Sequence, residues 1–213
     1  MTKWMWIIAG PNGAGKTSFA KEFLPTLGIP DIARLNADER TLELRSQFPA
    51  DKPPHEINLL AAQQIDAEVI KNIEEGKSFF VETVLSSDKY RDDVLEAKKR
   101  GYQIGLVYIS LHPPELSPER IGVRVAKGGH NIEAAKAIDR YHRSHKQLRW
   151  FAKQANTFMA FDNSSAEAKP VLIAAKLAGK NLVHRTKDIN PEIDRVVYVL
   201  RKKKYPAAMA KAG

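Results

Sequence analysis

Residues 10–17 read Gly-Pro-Asn-Gly-Ala-Gly-Lys-Thr and match the spacing G-x-x-x-x-G-K-[ST]. At average residue frequencies such a match arises by chance in about one chain in a hundred of this length. The flanks narrow the choice of folds further. Trp4 to Ala9 is an apolar run of strand length, and Lys16 to Leu24 has helical spacing and stops near Pro25. A strand must therefore enter the loop and a helix must leave it. Glycines let the backbone curl so that successive N–H groups point inward at phosphate oxygens. The helix that begins near Gly15 adds its positive dipole end. Lys16 is expected to reach the β- and γ-phosphates, and Thr17 to offer its hydroxyl to Mg²⁺ as the metal ligand. The run Gly10-Pro11-Asn12-Gly13-Ala14-Gly15-Lys16-Thr17-Ser18 is thus the expected nucleotide-binding segment.

The rest of the chain alternates short β-rich runs with longer helical ones. Strands are expected at 32–35, 78–81, 102–111 and 157–161, and helices at 38–48, 55–75, 88–100, 115–127 and 132–155. Gly76 and Gly101 stand where helices usually end. Residues 171–183 fit either one or two edge strands or a helix, and Pro191 to Arg201 has helical spacing at Ile193, Val196, Val197 and Leu200. This pattern implies an α/β P-loop NTPase three-layer fold, with a mostly parallel central sheet and a helical lid. Ligands in such folds sit at the carboxyl ends of the strands, so the chemistry is expected just after Ala9, Leu35, Val81, Leu111 and Phe161. Residues 1–165 are expected to form the P-loop kinase domain, with an Arg-rich lid around 115–145. Residues 166–213 are expected to be a C-terminal extension packed on the same domain, with a basic tail.

The 213 residues carry 34 Lys+Arg against 25 Asp+Glu, a net +9. Arg195, Arg201, Lys202, Lys203, Lys204 and Lys211 supply +6 of this, with no acid among residues 195–213, which leaves +3 for the rest. The body is not a basic slab, so nucleic acid is not expected as a partner, and the tail reads as a solvated extension. The absence of cysteine removes disulfides, thiol nucleophiles and cysteine-ligated zinc. The apolar run Met5 to Ala9 is too short to span a bilayer, so a soluble cytoplasmic protein without membrane insertion is expected. His112, His142, His145 and His184 have no metal-ligand spacing and read as structural or surface residues, and Trp4 and Trp6 read as packing residues.

A P-loop specifies a nucleotide triphosphate, not a reaction. No Asn-Lys-x-Asp base-reading segment of GTPases is present, and Phe79-Phe80-Val81 runs into Glu82-Thr83 rather than the Asp-Glu pair of helicases and motors. What remains is the layout of a small-molecule kinase. Arg120 and Arg124 are four apart on one expected helix, Arg140 and Arg143 three apart on the next, with Gly128-Gly129-His130-Asn131 between. Guanidiniums around such a hinge suit a γ-phosphoryl group whose charge spreads during transfer, and closure excludes water. Asp38, after the second strand, is placed to accept an acceptor hydroxyl's proton, although the same position suits a helix cap. Glu82 can bind substrate hydroxyls, hold a metal-bound water, or brace loop amides. A kinase of another small alcohol or of a nucleic-acid 5′ end, and a non-catalytic nucleotide-binding module, stay open on the residues alone.

In this order, the phosphate loop, Asn36-Ala37-Asp38-Glu39, Phe80-Val81-Glu82-Thr83-Val84-Leu85-Ser86, Arg124-Val125-Ala126-Lys127-Gly128-Gly129-His130-Asn131-Ile132, Arg140-Tyr141-His142-Arg143-Ser144 and Phe161-Asp162-Asn163-Ser164 resemble the zeta toxin family of P-loop kinases. The resemblance covers roughly residues 4–165. It implies an ATP- or GTP-dependent kinase acting on a hydroxyl of a UDP-sugar such as UDP-N-acetylglucosamine, in some members as a toxin held by a small antitoxin protein. By similarity Lys16 serves the phosphates, Asp38 is the catalytic base, and Arg124 and Arg140 grip the γ-phosphate. Glu82, Thr83, Arg120, His130 and Arg143 are the expected substrate contacts. Longer members carry an arginine near the position of Gly128-Gly129-His130, a contact that Arg140, Arg143 or His130 is expected to replace here.

Overall fold

The computed structural model describes residues 2–29, 32–126 and 132–202. Five parallel strands form the body of a seven-stranded sheet: β1 (Trp4–Ala9), β2 (Arg34–Leu35), β3 (Phe79–Thr83), β4 (Gln103–Ser110) and β5 (Thr157–Asp162). Two antiparallel strands, β6 (Val171–Lys176) and β7 (Val183–His184), extend it in the order β2-β3-β1-β4-β5-β6-β7. The ambiguous segment 171–183 is therefore two edge strands. β3 continues through Glu82 and Thr83, two residues beyond the run read from sequence. The helices are α1 (Lys16–Glu22), α2 (Ala37–Arg45), α3 (Pro54–Glu75), α4 (Arg91–Lys99), α5 (Leu116–Ala126), α6 (Ala134–Gln154) and α7 (Pro191–Lys202). α1 stops before Leu24 because Pro25 opens a separate 3-10 turn, and α2 stops at Arg45, short of Phe48. The Gly-Gly-His-Asn hinge lies outside the described residues.

β1 occupies the centre because it is apolar on both faces. Met5, Ile7 and Ala9 join a core with α3, α4, α7 and the end of α6, through Val69, Val94, Val197 and Phe151. Trp6 and Ile8 face the other layer, with Phe19 and Ala20 of α1 and Val107 of β4. A near-continuous buried run is what a central parallel strand requires. A smaller cluster of Leu44, Ile57 and Ala61 joins α2 to α3 and fixes the angle at which α2 leaves β2. Among the described residues no helix is long and apolar enough to cross a membrane.

Gly105 stands beside Trp6 in the β1–β4 register. A Cβ there would lie 2.1 Å from the indole ring, so the missing side chain is the space Trp6 fills. The ring is further held by stacking on Trp4 at 5.0 Å and on Phe80 at 6.0 Å. Gly105→Ala is expected to overpack this layer and cost about 2–3 kcal/mol in urea denaturation, since small-to-large core changes force backbone shifts. A loss under about 0.5 kcal/mol would mean that the indole moves aside freely.

α6 carries a polar stripe inward. Ser144 and His145 are buried beside Tyr108 and Tyr141. Burial pushes the His145 imidazole down to about 4, so it is neutral in the fold. Between pH 6.5 and about 4 the unfolded chain then binds a proton that the native one refuses. This contribution is whole above pH 6.5 and fades on acidification, by about 3 kcal/mol in total at roughly 1.4 kcal/mol per pH unit. Thermal melts across this range should show a steeper loss for the wild type than for His145→Gln; equal slopes would refute the assignment.

Candidate active site

The five parallel strands deliver their carboxyl ends to one edge, and a cavity of about 610 Å³ opens there. The phosphate loop forms one wall. Gly10 sits so close to β4 that a Cβ would lie 2.0 Å from the Ile109 carbonyl oxygen, and a Cβ on Gly15 (φ +81°) would lie 2.7 Å from Asn163 Nδ2. Pro11 O accepts from Lys16 Nζ at 3.1 Å, so the lysine curls over its own loop. Asn163 Nδ2 donates to Ala14 O at 2.9 Å, and Ser117 Oγ of α5 donates to Asn12 O at 2.7 Å. The loop is thereby braced from β5 and from α5.

Glu82 joins the pieces. Its Oε1 accepts from Thr17 Oγ1 at 2.8 Å and its Oε2 from Asn36 Nδ2 at 2.9 Å. Asn36 in turn caps α2, its Oδ1 accepting from the backbone of Asp38 at 2.8 Å and of Glu39 at 3.3 Å. The capping role weighed for Asp38 therefore belongs to Asn36, and Asp38 lines the cavity instead. Burial lowers the Lys16 pKa, opposed by the charges of Glu82 and Asp38 and aided by Arg124. Burial also raises the Glu82 pKa, opposed by Lys16 and by the Thr17 hydrogen bond. A dry site that penalises each charge separately rewards a ligand that brings compensating charge.

Lys16, Thr17, Asp38, Glu82, Thr83, Arg120, Arg124 and Arg140 all line this one cavity. Arg120 also donates to Ser164 O at 2.8 Å. Arg143 does not line it: on the outer face of α6 it pairs with Asp139 at 2.8 Å and is about half-exposed. Three residues along α6 rotate by about 300°, so the two side chains point about 60° apart, and Tyr141, Ser144 and Leu148 fix which face of α6 is inside. His130 lies outside the described residues.

The cavity also has a wall that the motifs revealed only at Ser86. Thr41 of α2, Asn58 of α3, and Ser86, Lys89 and Tyr90 after β3 line it on the β2–β3 side of the phosphate loop. Lys89 pairs with Asp66 at 2.7 Å. The rule that chemistry follows strand ends points to Ser86 and Lys89. Nothing local marks Asn58 in the first half of a 22-residue helix.

The family model described as Zeta toxin matches residues 1–189. No curated protein matches the chain significantly. Among solved structures, AvrRxo1-ORF1 in complex with AvrRxo1-ORF2, with sulphate ions, superposes with a TM-score of 0.70 at 16% identity over 92% of this chain and 64% of that one. The same complex with ATP gives a TM-score of 0.69 at 14% identity, over 100% of this chain and 66% of that one. The PezAT chromosomal toxin–antitoxin system of Streptococcus pneumoniae gives a TM-score of 0.59 at 16% identity, over 97% and 81%. The chain thus spans just under two thirds of the chains that it matches in these two complexes. At these identities the likeness is one of fold.

Asn36→Ala removes both the cap of α2 and one donor to Glu82. It is expected to cost about 1–2 kcal/mol in urea denaturation, the range for a lost N-cap plus an underpaired buried acceptor. A change under about 0.3 kcal/mol would mean that neither bond is formed in solution.

Proposed function

The chain belongs to the zeta toxin family, and on that footing we propose that it is a phosphotransferase moving the γ-phosphoryl group of ATP or GTP to a hydroxyl of a UDP-sugar such as UDP-N-acetylglucosamine. One observation carries this reading. Lys16, Asp38, Arg120, Arg124 and Arg140 come from four helices and share the walls of a single cavity at the strand ends.

In the proposed reaction the loop amides and Lys16 hold the β- and γ-phosphates. Asp38 takes the proton of the acceptor hydroxyl as its oxygen bonds to the γ-phosphorus. The bond from that phosphorus to the β–γ bridging oxygen breaks, and its electron pair leaves on the nucleoside diphosphate. Arg124 and Arg140 face the charge that spreads over the transferring group. Glu82, Thr83 and Arg120 serve the acceptor side, joined by Asn58 and Lys89, whose amide and ammonium suit a hydroxyl-rich, anionic molecule. The Thr17 hydroxyl and Glu82 carboxylate, 2.8 Å apart, make an all-oxygen pair of the kind Mg²⁺ prefers, and these residues would hold it. When bound, Mg²⁺ supplies neutralisation of phosphate charge.

Residues 1–165 are proposed as the kinase domain, with 115–145 as its lid and 166–213 as an extension of the same domain ending in a basic tail. The Streptococcus pneumoniae structure is described as a toxin–antitoxin system. Carried to this chain, that description makes a small antitoxin protein the proposed partner.

The test is ADP release with purified protein, ATP and UDP-N-acetylglucosamine, with the product followed by ³¹P NMR. Lys16→Ala is expected to lower kcat by about 10²–10³-fold, the effect of removing one preorganised electrostatic group. Asp38→Asn is expected to lower it by about 10²–10⁴-fold, the range for a general base. Chelation should stop turnover and added Mg²⁺ restore it. Turnover with a simple alcohol or a nucleic-acid 5′ end, and none with any UDP-sugar, would sink the acceptor assignment. Nucleotide binding with no turnover on any acceptor would sink the kinase itself.

A further inference from the structure

The segment after the last parallel strand reaches back to the ends of β4 and β5. Asn190, immediately before α7, is fully buried. Its two Nδ2 hydrogens are shared among Asp162 Oδ1 at 2.9 Å, Ser110 Oγ at 3.0 Å and Leu111 O at 3.1 Å, while its Oδ1 accepts from the backbone of Ile193 at 3.3 Å. The amide has one orientation, because the Leu111 carbonyl only accepts and the Ile193 N–H only donates. The same logic orders its neighbour. His145 Nδ1 must donate to Tyr141 O at 2.9 Å, so Nε2 accepts from the Ser110 hydroxyl at 2.9 Å, and Ser110 Oγ is left to accept from Asn190.

From Asp162 the bonds run outward to the site. The two oxygens of Asp162 accept from the hydroxyl and backbone N–H of Ser164, at 2.8 and 3.0 Å. Asn163, between them, donates its backbone N–H to Ser110 O at 2.9 Å and its side chain to Ala14 O in the phosphate loop. Ser164 O accepts from Arg120, a cavity residue. Asn190, Ser110 and Asp162 are each at most 6% exposed, so each lost bond leaves a buried group without compensation and the array moves as a unit.

We infer that Asn190 is a positioning residue for nucleotide binding: by holding the turn at 162–164 it sets the Ala14 carbonyl, and hence the direction of the loop's N–H groups. It lies just beyond the residues 1–189 matched by the family model, in the extension rather than in any motif of the kinase body. The inference rests on reading residues 10–18 as a nucleotide site and is independent of the acceptor.

The experiment is calorimetric titration of the full chain with ATP, alongside thermal melts. Asn190→Ala is expected to weaken ATP binding about tenfold, or about 1.4 kcal/mol. Val197→Ala strips buried apolar atoms from the same helix outside this bond array, and should lower Tm while leaving the Kd within about twofold. Asn163→Ala, which cuts the array one step nearer the loop, should also weaken binding about tenfold. The double variant should be no more than about twofold weaker than Asn163→Ala alone, because both changes act through one route. The inference fails if Asn190→Ala leaves the Kd within twofold of wild type or moves it no more than Val197→Ala does. It also fails if Asn163→Ala, which tests the lower link even where Asn190→Ala does not fold, leaves the Kd unchanged, or if the two losses multiply. Wild-type protein that binds no ATP would overturn the nucleotide site itself; wild-type binding with unmoved variants overturns only the role of Asn190.

Discussion

The carboxylate of Glu82 is the joint on which the site depends. It sits on β3, next to the central strand, and holds Thr17 at the start of α1 with one oxygen and Asn36 at the cap of α2 with the other. β3 and two helices that leave different strands are thereby fixed relative to one another at one edge of the sheet. An ionised carboxylate with two donors tolerates burial, whereas one with none would shed its charge. On Glu82 burial, which favours the neutral acid, outweighs Lys16 and Thr17, which favour the anion, and the net push is upward. Asn36 matters for the same reason. One amide caps a helix and satisfies a buried acid, which leaves Asp38 at the cavity wall.

Around that joint the cavity gathers five cations and two carboxylates. Lys16, Lys89, Arg120, Arg124 and Arg140 face a space that also holds Asp38 and Glu82. The low effective dielectric of such a cleft strengthens every interaction with an entering phosphate and penalises the same cations when none is present. The depressed Lys16 pKa is the visible sign of that penalty. Structural bonds also reach the site from behind, through Ser117 to Asn12 and through Asn163 to Ala14, so loop geometry is inherited from α5 and β5 as well as from β1.

Much of the fold was legible because its signals are local. The apolar run at β1, the helix-closing Gly76 and the spacing of Ile193, Val196 and Val197 each report a period or a stop, and each element is where that signal lies. The failures were also local in origin. Val171 to Val183 carries both strand and helix signals, and only pairing of β6 with β5 decides between them. Arg140 and Arg143 look equivalent at three residues apart, yet the buried face of α6 sends one to the cavity and the other to Asp139. Gly105 in β4 is the seat of Trp6, a pairing that only the strand register reveals.

The one-dimensional signals were enough for the glycine-rich loop, the alternation of strand and helix and the sheet edge at which the cavity opens, because those follow from backbone freedom, side-chain period and the direction of helix dipoles. The sequence also carried the ordered motifs by which the chain resembles its family. Only the tertiary structure decided the strand order and the wall formed by Asn58 and Lys89. It alone joined Asn190, through Asp162 and Asn163, to a loop some 180 residues earlier in the chain. Such contacts join residues whose separation carries no periodic signal, and their energy appears only once the hydrophobic layers have brought the polar groups within hydrogen-bond reach.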